Sequence, residues 1–268
     1  MGAVKPYYQD GSVQVFWGDC REILPALDLT FDAAIVDPPY QETSLAWDRW
    51  PDGWPSVVAE ATSSLWCWGS MRSHLDRAGD LALAGWRLSH DVVGEWEVDT
   101  AVWEKHNGTG FAADRLRRVH ELATHWYRGR WADVYHHVPR VPAVFDPKGK
   151  PPVSTSVAPV GHTGAIGPHV YINDGLRLAR SVIRAPSIRR GLHHTQKPVE
   201  VLAPLIEYAV PLGGLLLDPM AGSGSTAVAA RQLGRRCVLI EADEHYCETT
   251  ARRLDQGLLL PTGGEHRG

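Results

Sequence analysis

The sequence predicts an α/β fold, an open and mostly parallel sheet interrupted by an irregular insertion, and three observations predict it. Short β-rich runs end abruptly at turns, as Val13 to Trp17 does at Gly18-Asp19-Cys20 and Phe31 to Val36 does at Asp37-Pro38-Pro39-Tyr40. From Thr195 onward helical and strand periodicities alternate, the pattern of βα units stacked into a parallel sheet. Between these halves, residues 139–168 hold seven Pro and four Gly among scattered Ser and Thr, which is loop chemistry without a packed element.

In order along the chain, Val13 to Trp17 is the first strand and Phe31 to Val36 the second. Two prolines cannot continue a central strand, so the chain must leave the sheet at Pro38. Ser64 to Gly69 reads as a third strand and Ala101 to Glu104 as part of a fourth. Leu176 to Arg184 reads as a short helix ended by Pro186, with Arg177, Arg180 and Arg184 on one face at spacings of three and four. Pro198 suits the first turn of a further helix, whose apolar stripe is Leu202, Leu205, Ile206 and Ala209, and Pro204 should kink it. Leu215 to Leu217 is a short apolar strand, followed by a Gly-rich turn and a helix that stops near Gly234. Cys237 to Ile240 is the next strand, closed by Glu241, and Asp243 caps a last helix. These elements divide the chain into residues 1–134, 135–190 and 191–268, the outer two being halves of one domain.

Composition bounds the class. The 268 residues are 44% hydrophobic and 22% charged, ordinary for a globular chain large enough to bury a core without staples. Four cysteines (Cys20, Cys67, Cys237, Cys247) never reach Cys-x-x-Cys spacing, so neither a disulfide framework nor a thiolate zinc site is expected, and a reducing cytoplasm is the expected location. His193-His194 lacks a third ligand at metal spacing, and no metal is expected. The most apolar stretch, Val201 to Leu217, is broken by Pro204, Glu207 and Pro211, so no membrane span is expected. A net charge of −4 argues against a protein that simply coats nucleic acid. From Val134 to Val199, however, nine Lys or Arg face only Asp146 and Asp174, a balance of +7, while the remainder carries 18 bases against 29 acids. A basic face on an acidic body suits a polyanionic partner, and a solvated surface would look the same.

Two turns carry chemistry. Asp218-Pro219-Met220-Ala221-Gly222-Ser223-Gly224-Ser225-Thr226 lies between a strand and a helix, where glycines let a ligand approach the backbone and the helix presents free N–H groups. Gly222-x-Gly224-x-x-Ala227 also meets the relaxed dinucleotide fingerprint. An acid directly before the glycines is not needed for a dinucleotide, and Glu241, ending the next strand, can accept from both hydroxyls of a ribose; together they favour S-adenosylmethionine. Asp37-Pro38-Pro39-Tyr40 is the more specific signal. An aromatic amine has its lone pair delocalised into the ring. Acceptors at the Asp37 carboxylate and the Pro38 carbonyl would hold its hydrogens, favour a pyramidal nitrogen and aim the lone pair at an electrophile. Tyr40 offers a flat face to a base drawn out of a duplex. Trp47, Trp50 and Trp54 follow this turn; lining a base pocket is one reading of them, and packing in core or loop is the one expected.

With these residues in this order the chain resembles the amino-methyltransferases of DNA, the N6-adenine/N4-cytosine family, in the arrangement where the Asp-Pro-Pro-Tyr tetrapeptide precedes the cofactor motif. Gly18-Asp19-Cys20 with Ile23 and Leu24 is similar to the family's amino-terminal motif, and the resemblance assigns Asp19 and Cys20 to the adenine end of S-adenosylmethionine. His194-Thr195-Gln196-Lys197-Pro198 is similar to the segment that packs around the methionine part, which assigns Thr195, Gln196 and Lys197 to the cofactor as well. Trp103-Glu104-Lys105-His106-Asn107 and His120-Glu121-Leu122 resemble family segments on later strands. The resemblance further implies a Rossmann-like sheet of seven strands, and cofactor contacts through Asp218, Pro219, Met220, Ala221, Gly222, Ser223, Gly224, Ser225, Thr226, Glu241 and Ala242. It implies catalysis by Asp37, Pro38, Pro39 and Tyr40 on a flipped base. Met220 departs from the pattern, standing where the family usually has an aromatic residue. The resemblance fades between about 134 and 190, where target recognition is expected, and Arg177, Arg180, Arg184, Arg189 and Arg190 are the candidate contacts to double-stranded DNA. A homodimer and a cognate restriction endonuclease are the further partners such enzymes can have, in a bacterial or phage-infected cell. Adenine N6 is favoured over cytosine N4 because cytosine enzymes more often carry Ser in place of Asp37. An NAD-dependent oxidoreductase would use the glycines but leave Asp37 to Tyr40 without a role, and the intact motifs argue against a DNA-binding protein that has lost catalysis.

Overall fold

The structure, a computed structural model, describes residues 4–45, 47–97, 120–142, 175–186 and 196–259. Its strands are β1 (Tyr8–Gln9), β2 (Val13–Trp17), β3 (Ala33–Val36), β4 (Ser64–Gly69), β5 (Arg87–Glu97), β6 (His120–Tyr127), β7 (Arg140–Pro142), β8 (Leu176–Leu178), β9 (Val182–Pro186), β10 (Leu215–Asp218) and β11 (Arg236–Glu241). Its helices are α1 (Cys20–Leu27), α2 (Trp54–Ala61), α3 (Met71–Leu83), α4 (Val199–Ala209), α5 (Ser225–Gln232) and α6 (Glu244–Leu259).

Among the described residues the central sheet has nine strands in the order β1-β2-β11-β10-β3-β4-β6-β5-β9. The run β2, β11, β10, β3, β4 is parallel throughout, β6 is antiparallel to both β4 and β5, and the short β1 and β9 extend the two edges of a seven-stranded α/β sheet. Parallel strands read as continuous apolar runs because helices cover both faces. Consecutive residues divide accordingly. Ile35, Trp66, Leu216 and Leu239 pack with Leu202, Leu205, Ile206 and Ala227 of α4 and α5 and with Leu254 of α6. On the opposite face, Val36, Cys67, Leu217 and Val238 pack with Leu24 of α1, Trp54 and Val58 of α2 and Leu81 of α3. At roughly 1.5–3 kcal/mol for each fully buried large apolar side chain, these two layers hold the sheet. Trp54 and Trp50 belong to this second layer, whereas Trp47 is exposed.

The chain divides into two compact units, residues 1–137 with 180–268, and residues 138–179. In the smaller unit β7 and β8 pair antiparallel, Arg140 opposite Leu178. Two expectations are corrected here. Leu176 to Arg184 is not a helix but β8, a bend and β9, so Arg177, Arg180 and Arg184 do not share a helical face. Val182 and Ile183 are β-branched, and pairing of β9 with β5 overrides the helical spacing of the arginines. Pro198 is the residue before α4, in extended conformation, rather than part of its first turn, and Pro204 lies inside that helix. The strand expected at Ala101 to Glu104 falls outside the described residues, as do His193-His194 and the segment from Trp103 to Asn107. No helix among the described residues is long and apolar enough to cross a membrane.

Candidate active site

Parallel strands deliver their carboxyl ends to one edge of the sheet, and loops there form the usual ligand crevice of open α/β folds. β10 and β3 are neighbours in that set, with Leu216 opposite Ala33 and Leu217 opposite Ala34. Asp218 ends β10 and Asp37 follows β3, so the two turns singled out above emerge side by side. β11 lies on the other side of β10, placing Glu241 next to the Gly-rich turn.

The turn after β10 is built from its own backbone. The Ala221 N–H donates to the Ile240 carbonyl at 3.0 Å and the Gly224 N–H to the Ala221 carbonyl at 2.9 Å. Gly222 and Gly224 sit at φ +50° and +71°, in the left-handed region that glycine enters without steric cost. Gly224 precedes α5 with no side chain capping that helix start. The Glu241 carboxylate accepts from the Gly222 N–H at 2.7 Å and from the Asp243 N–H at 2.9 Å, so it ties the two strand ends together. Asp243 caps α6 by accepting from the His245 N–H at 2.9 Å. Asp218 is buried and accepts from the Met220 N–H at 3.1 Å. Burial raises its pKa to about 7, against hydrogen bonds from Thr226 and Met220 that lower it, and the charges of Asp37 and Glu241 push it further up. Glu241 is raised in the same direction, again chiefly by burial. Arg253 of α6 donates to the Ser223 carbonyl at 2.8 Å and the Ser225 hydroxyl at 3.1 Å.

At the other turn, the Asp37 carboxylate is held at both oxygens. The Tyr40 hydroxyl donates to Oδ1, and the Lys197 ammonium lies 2.5 Å from Oδ2. Burial first, then the charge of Asp37, pushes the Tyr40 hydroxyl well above its ordinary pKa, so it remains a donor. Lys197 is only 6% exposed, lies 3.1 Å from Glu121 on β6 and sits over the Trp68 ring at 5.2 Å. Burial alone would lower its pKa, but the Asp37 and Glu121 carboxylates outweigh that and raise it. Beyond Tyr40 the chain turns through Gln41 at φ +58°. Asp48, buried, gathers this loop by accepting from the Gln41 N–H at 2.8 Å and from the Thr43 N–H at 2.7 Å.

The other candidate residues fall as follows. Asp19 caps α1, accepting from the Arg21 N–H at 2.8 Å and pairing with its guanidinium at 2.5 Å. Cys20 is buried, and burial followed by the Asp19 charge pushes its thiol up to about 12. The Gly18 N–H donates to the Glu241 carbonyl at 2.9 Å, which brings the amino-terminal motif to the end of β11. Met220 packs against the α1–α2 side of the core. Arg177 is half-buried in β8, Arg180 is exposed and Arg184 lies on β9. Thr195, Arg189 and Arg190 fall outside the described residues. Glu121, Asp48 and Thr250 were not singled out for a site role by motif reading: Glu121 and Thr250 meet the site through contacts distant in sequence, and Asp48 only by closing the loop after Tyr40.

Comparison with known proteins places this geometry in a family. The family model described as DNA methylase, of the N6/N4 type, matches residues 31–252. The type II methyltransferase M.ScaI of Streptomyces caespitosus is 26% identical over 268 residues, covering 94% of this chain and 84% of that protein. Among solved structures, M1.HpyAVI in complex with SAM shares the fold with a TM-score of 0.61 at 19% identity, over 91% of this chain and 99% of that one. The cytosine-N4-specific PvuII DNA methyltransferase does so with a TM-score of 0.61 at 11% identity, over 98% and 91%. The dinucleotide reading of the glycines therefore falls, and with both signature turns inside the matched span the chain belongs to the N6-adenine/N4-cytosine family of DNA amino-methyltransferases.

Proposed function

We propose that the chain methylates the N6 amino group of adenine in double-stranded DNA, using S-adenosylmethionine and drawing the target base out of the duplex. The observation that carries this reading is the pairing of Asp37 and Asp218 at the ends of neighbouring parallel strands, close enough that the charge of one raises the pKa of the other. A site rimmed by Asp37, Asp218 and Glu241, with Asp218 and Glu241 held above their ordinary pKa by burial, fits a ligand that brings positive charge and hydroxyl donors. S-adenosylmethionine is such a ligand, and when bound it supplies an electrophilic methyl group on a sulfonium. Asp218 to Thr226 would line one side of it, Glu241 and Ala242 its ribose end, Asp19 and Cys20 its adenine, and Thr195 and Gln196 its methionine part.

Asp37 and the Pro38 carbonyl would accept the two hydrogens of the target amine, and Tyr40 would stack on the base, recovering roughly 1–3 kcal/mol against the cost of unstacking. The carboxylate at position 37 favours adenine over cytosine. Residues 135–190 serve target recognition, with Arg177, Arg180, Arg184, Arg189 and Arg190 on the DNA, mostly at phosphates. A type II name on the relative from Streptomyces caespitosus supports a cognate endonuclease as partner. Mass spectrometry of nucleosides from DNA methylated by the purified protein tests the base. N6-methyldeoxyadenosine is expected from the wild type and none from Asp37→Ala; N4-methyldeoxycytidine in its place overturns the adenine assignment.

A further inference from the structure

Lys197 occupies a place that a cofactor contact does not account for. Its ammonium is buried, 2.5 Å from Asp37 Oδ2 and 3.1 Å from Glu121 Oε2, and it faces the Trp68 ring. Burying an ammonium costs several kcal/mol unless charged partners compensate it, and here two carboxylates do. The three groups come from three separate parts of the chain: the turn after β3, strand β6 and the segment leading into α4. Such convergence constrains the Asp37 side chain. Tyr40 fixes one of its oxygens and Lys197 the other. An ionised carboxylate oxygen has about two lone-pair sites, so each oxygen held in this way retains one acceptor direction.

We infer that Lys197, backed by Glu121, is a positioning residue for Asp37: it fixes the carboxylate so that its remaining lone pair points at the hydrogen of the target amine. This rests on the reading of Asp37 as the amine's acceptor. Glu121 has a distinct part. It shares the ammonium with Asp37, which keeps Lys197 from being neutralised by Asp37 alone and holds it against Trp68. Reactions that depend on aimed lone pairs are sensitive to small displacements, and a misplacement of about 1 Å costs about 100-fold in rate.

Removing Lys197 alone would leave two half-buried carboxylates without the cation they share, so Lys197→Met is read beside the charge-balanced double variant Lys197→Met/Glu121→Gln. In the double variant the single-turnover methylation rate is expected to fall about 100-fold while the S-adenosylmethionine dissociation constant and the KM for DNA stay within about threefold. Glu121→Gln alone keeps the Lys197–Asp37 contact but loses the second carboxylate on the ammonium, and is expected to slow the rate about tenfold, between wild type and the double variant. A cofactor affinity that falls as far as the rate makes Lys197 a cofactor ligand and overturns the inference. A double variant as fast as wild type, or a Glu121→Gln variant as slow as the double, overturns it as well. Asp37→Asn is measured alongside: if that variant keeps wild-type rate, it is the role of Asp37 that fails, whatever the Lys197 variants show.

Discussion

Thr250 on α6 and Gly224 in the turn after β10 are locked against each other: the Thr250 hydroxyl donates to the Gly222 carbonyl at 3.1 Å, and a Cβ at position 224 would lie 2.5 Å from Thr250 Cγ2. The glycine is thus required twice, by its φ of +71° and by the side chain packed over it. Helix α6 thereby shapes the turn that the sequence assigns to the cofactor.

Gly224→Ala is expected to destabilise the protein and weaken S-adenosylmethionine binding together. The left-handed conformation costs a residue with a Cβ roughly 1–2 kcal/mol before any clash. Thr250→Ser removes Cγ2 while keeping the hydroxyl, so the double variant should recover the part of the loss that is steric. Calorimetric Tm and cofactor affinity of the two single variants and the double measure the coupling. Strict additivity would mean that Thr250 does not press on this turn.

With Asp218 at the cofactor, binding is expected to depend on pH. Its folded pKa is raised from 3.8 to about 7 by burial, so its contribution to stability is present at low pH and is lost as pH rises through about 7. A sulfonium favours the carboxylate form. Binding should therefore expel a proton below about pH 7, and affinity should strengthen as pH climbs from about 5 to 7. Isothermal titration in two buffers of different ionisation enthalpy reads the proton directly. Asp218→Asn should flatten the dependence, and no proton release by the wild type at pH 6 would contradict the assignment.

Acid stability depends on a different group. His125 on β6 is fully buried, its ring nitrogens 3.1 Å from the Ser64 hydroxyl and 2.8 Å from the Ser89 hydroxyl. Burial, then the neighbouring His90 and His136, lower its pKa from 6.5 to about 3. The unfolded chain takes up a proton that the folded one refuses. Stability from this group is therefore complete above about pH 6.5 and falls as pH drops towards about 3. His74 and His90 shift in the same direction, also through burial. Each such group steepens the loss by at most about 1.4 kcal/mol per pH unit. Urea midpoints between pH 7.5 and 5 should fall for the wild type and less steeply for His125→Gln.

Local signals made much of this architecture legible, and distance hid the rest. β2 and β4 coincide residue for residue with the strands expected from Val13 to Trp17 and from Ser64 to Gly69, because turn residues bound both. The two signature turns stand out because prolines and glycines leave few conformations open. The stretch from Leu176 to Arg184 differs because its strand character comes from β7, which pairs β8, and from β5, which pairs β9, both far away in sequence. Lys197 shows the same limit at the site. Its motif suggests a cofactor contact, while its ion pairs with Asp37 and Glu121 arise from the meeting of β3, β6 and α4.

Asp48 carries the last prediction. Its buried carboxylate accepts from the Gln41 N–H at 2.8 Å and from the Thr43 N–H and hydroxyl at 2.7 and 2.8 Å, closing the loop that begins at Tyr40. These hydrogen bonds outweigh the burial that would raise its pKa and hold it below the ordinary carboxylate value. Its stabilising contribution is therefore present above about pH 3.8 and is lost in stronger acid. Hydrogen bonds to a charged acceptor contribute about 1.5–3 kcal/mol each, so Asp48→Ala should leave the loop open and free Gln41 from its left-handed conformation. Asp48→Asn should not rescue it, because one carboxylate oxygen becomes an NH2 group aimed at backbone donors. Protease cleavage between Tyr40 and Trp50 should accelerate in both variants, and single-turnover methylation should slow because Tyr40 borders the loop. Wild-type protection in Asp48→Ala would show that the loop is held by its contacts with α3 instead, through Glu42 on Ser70 and Gln41 on Arg77.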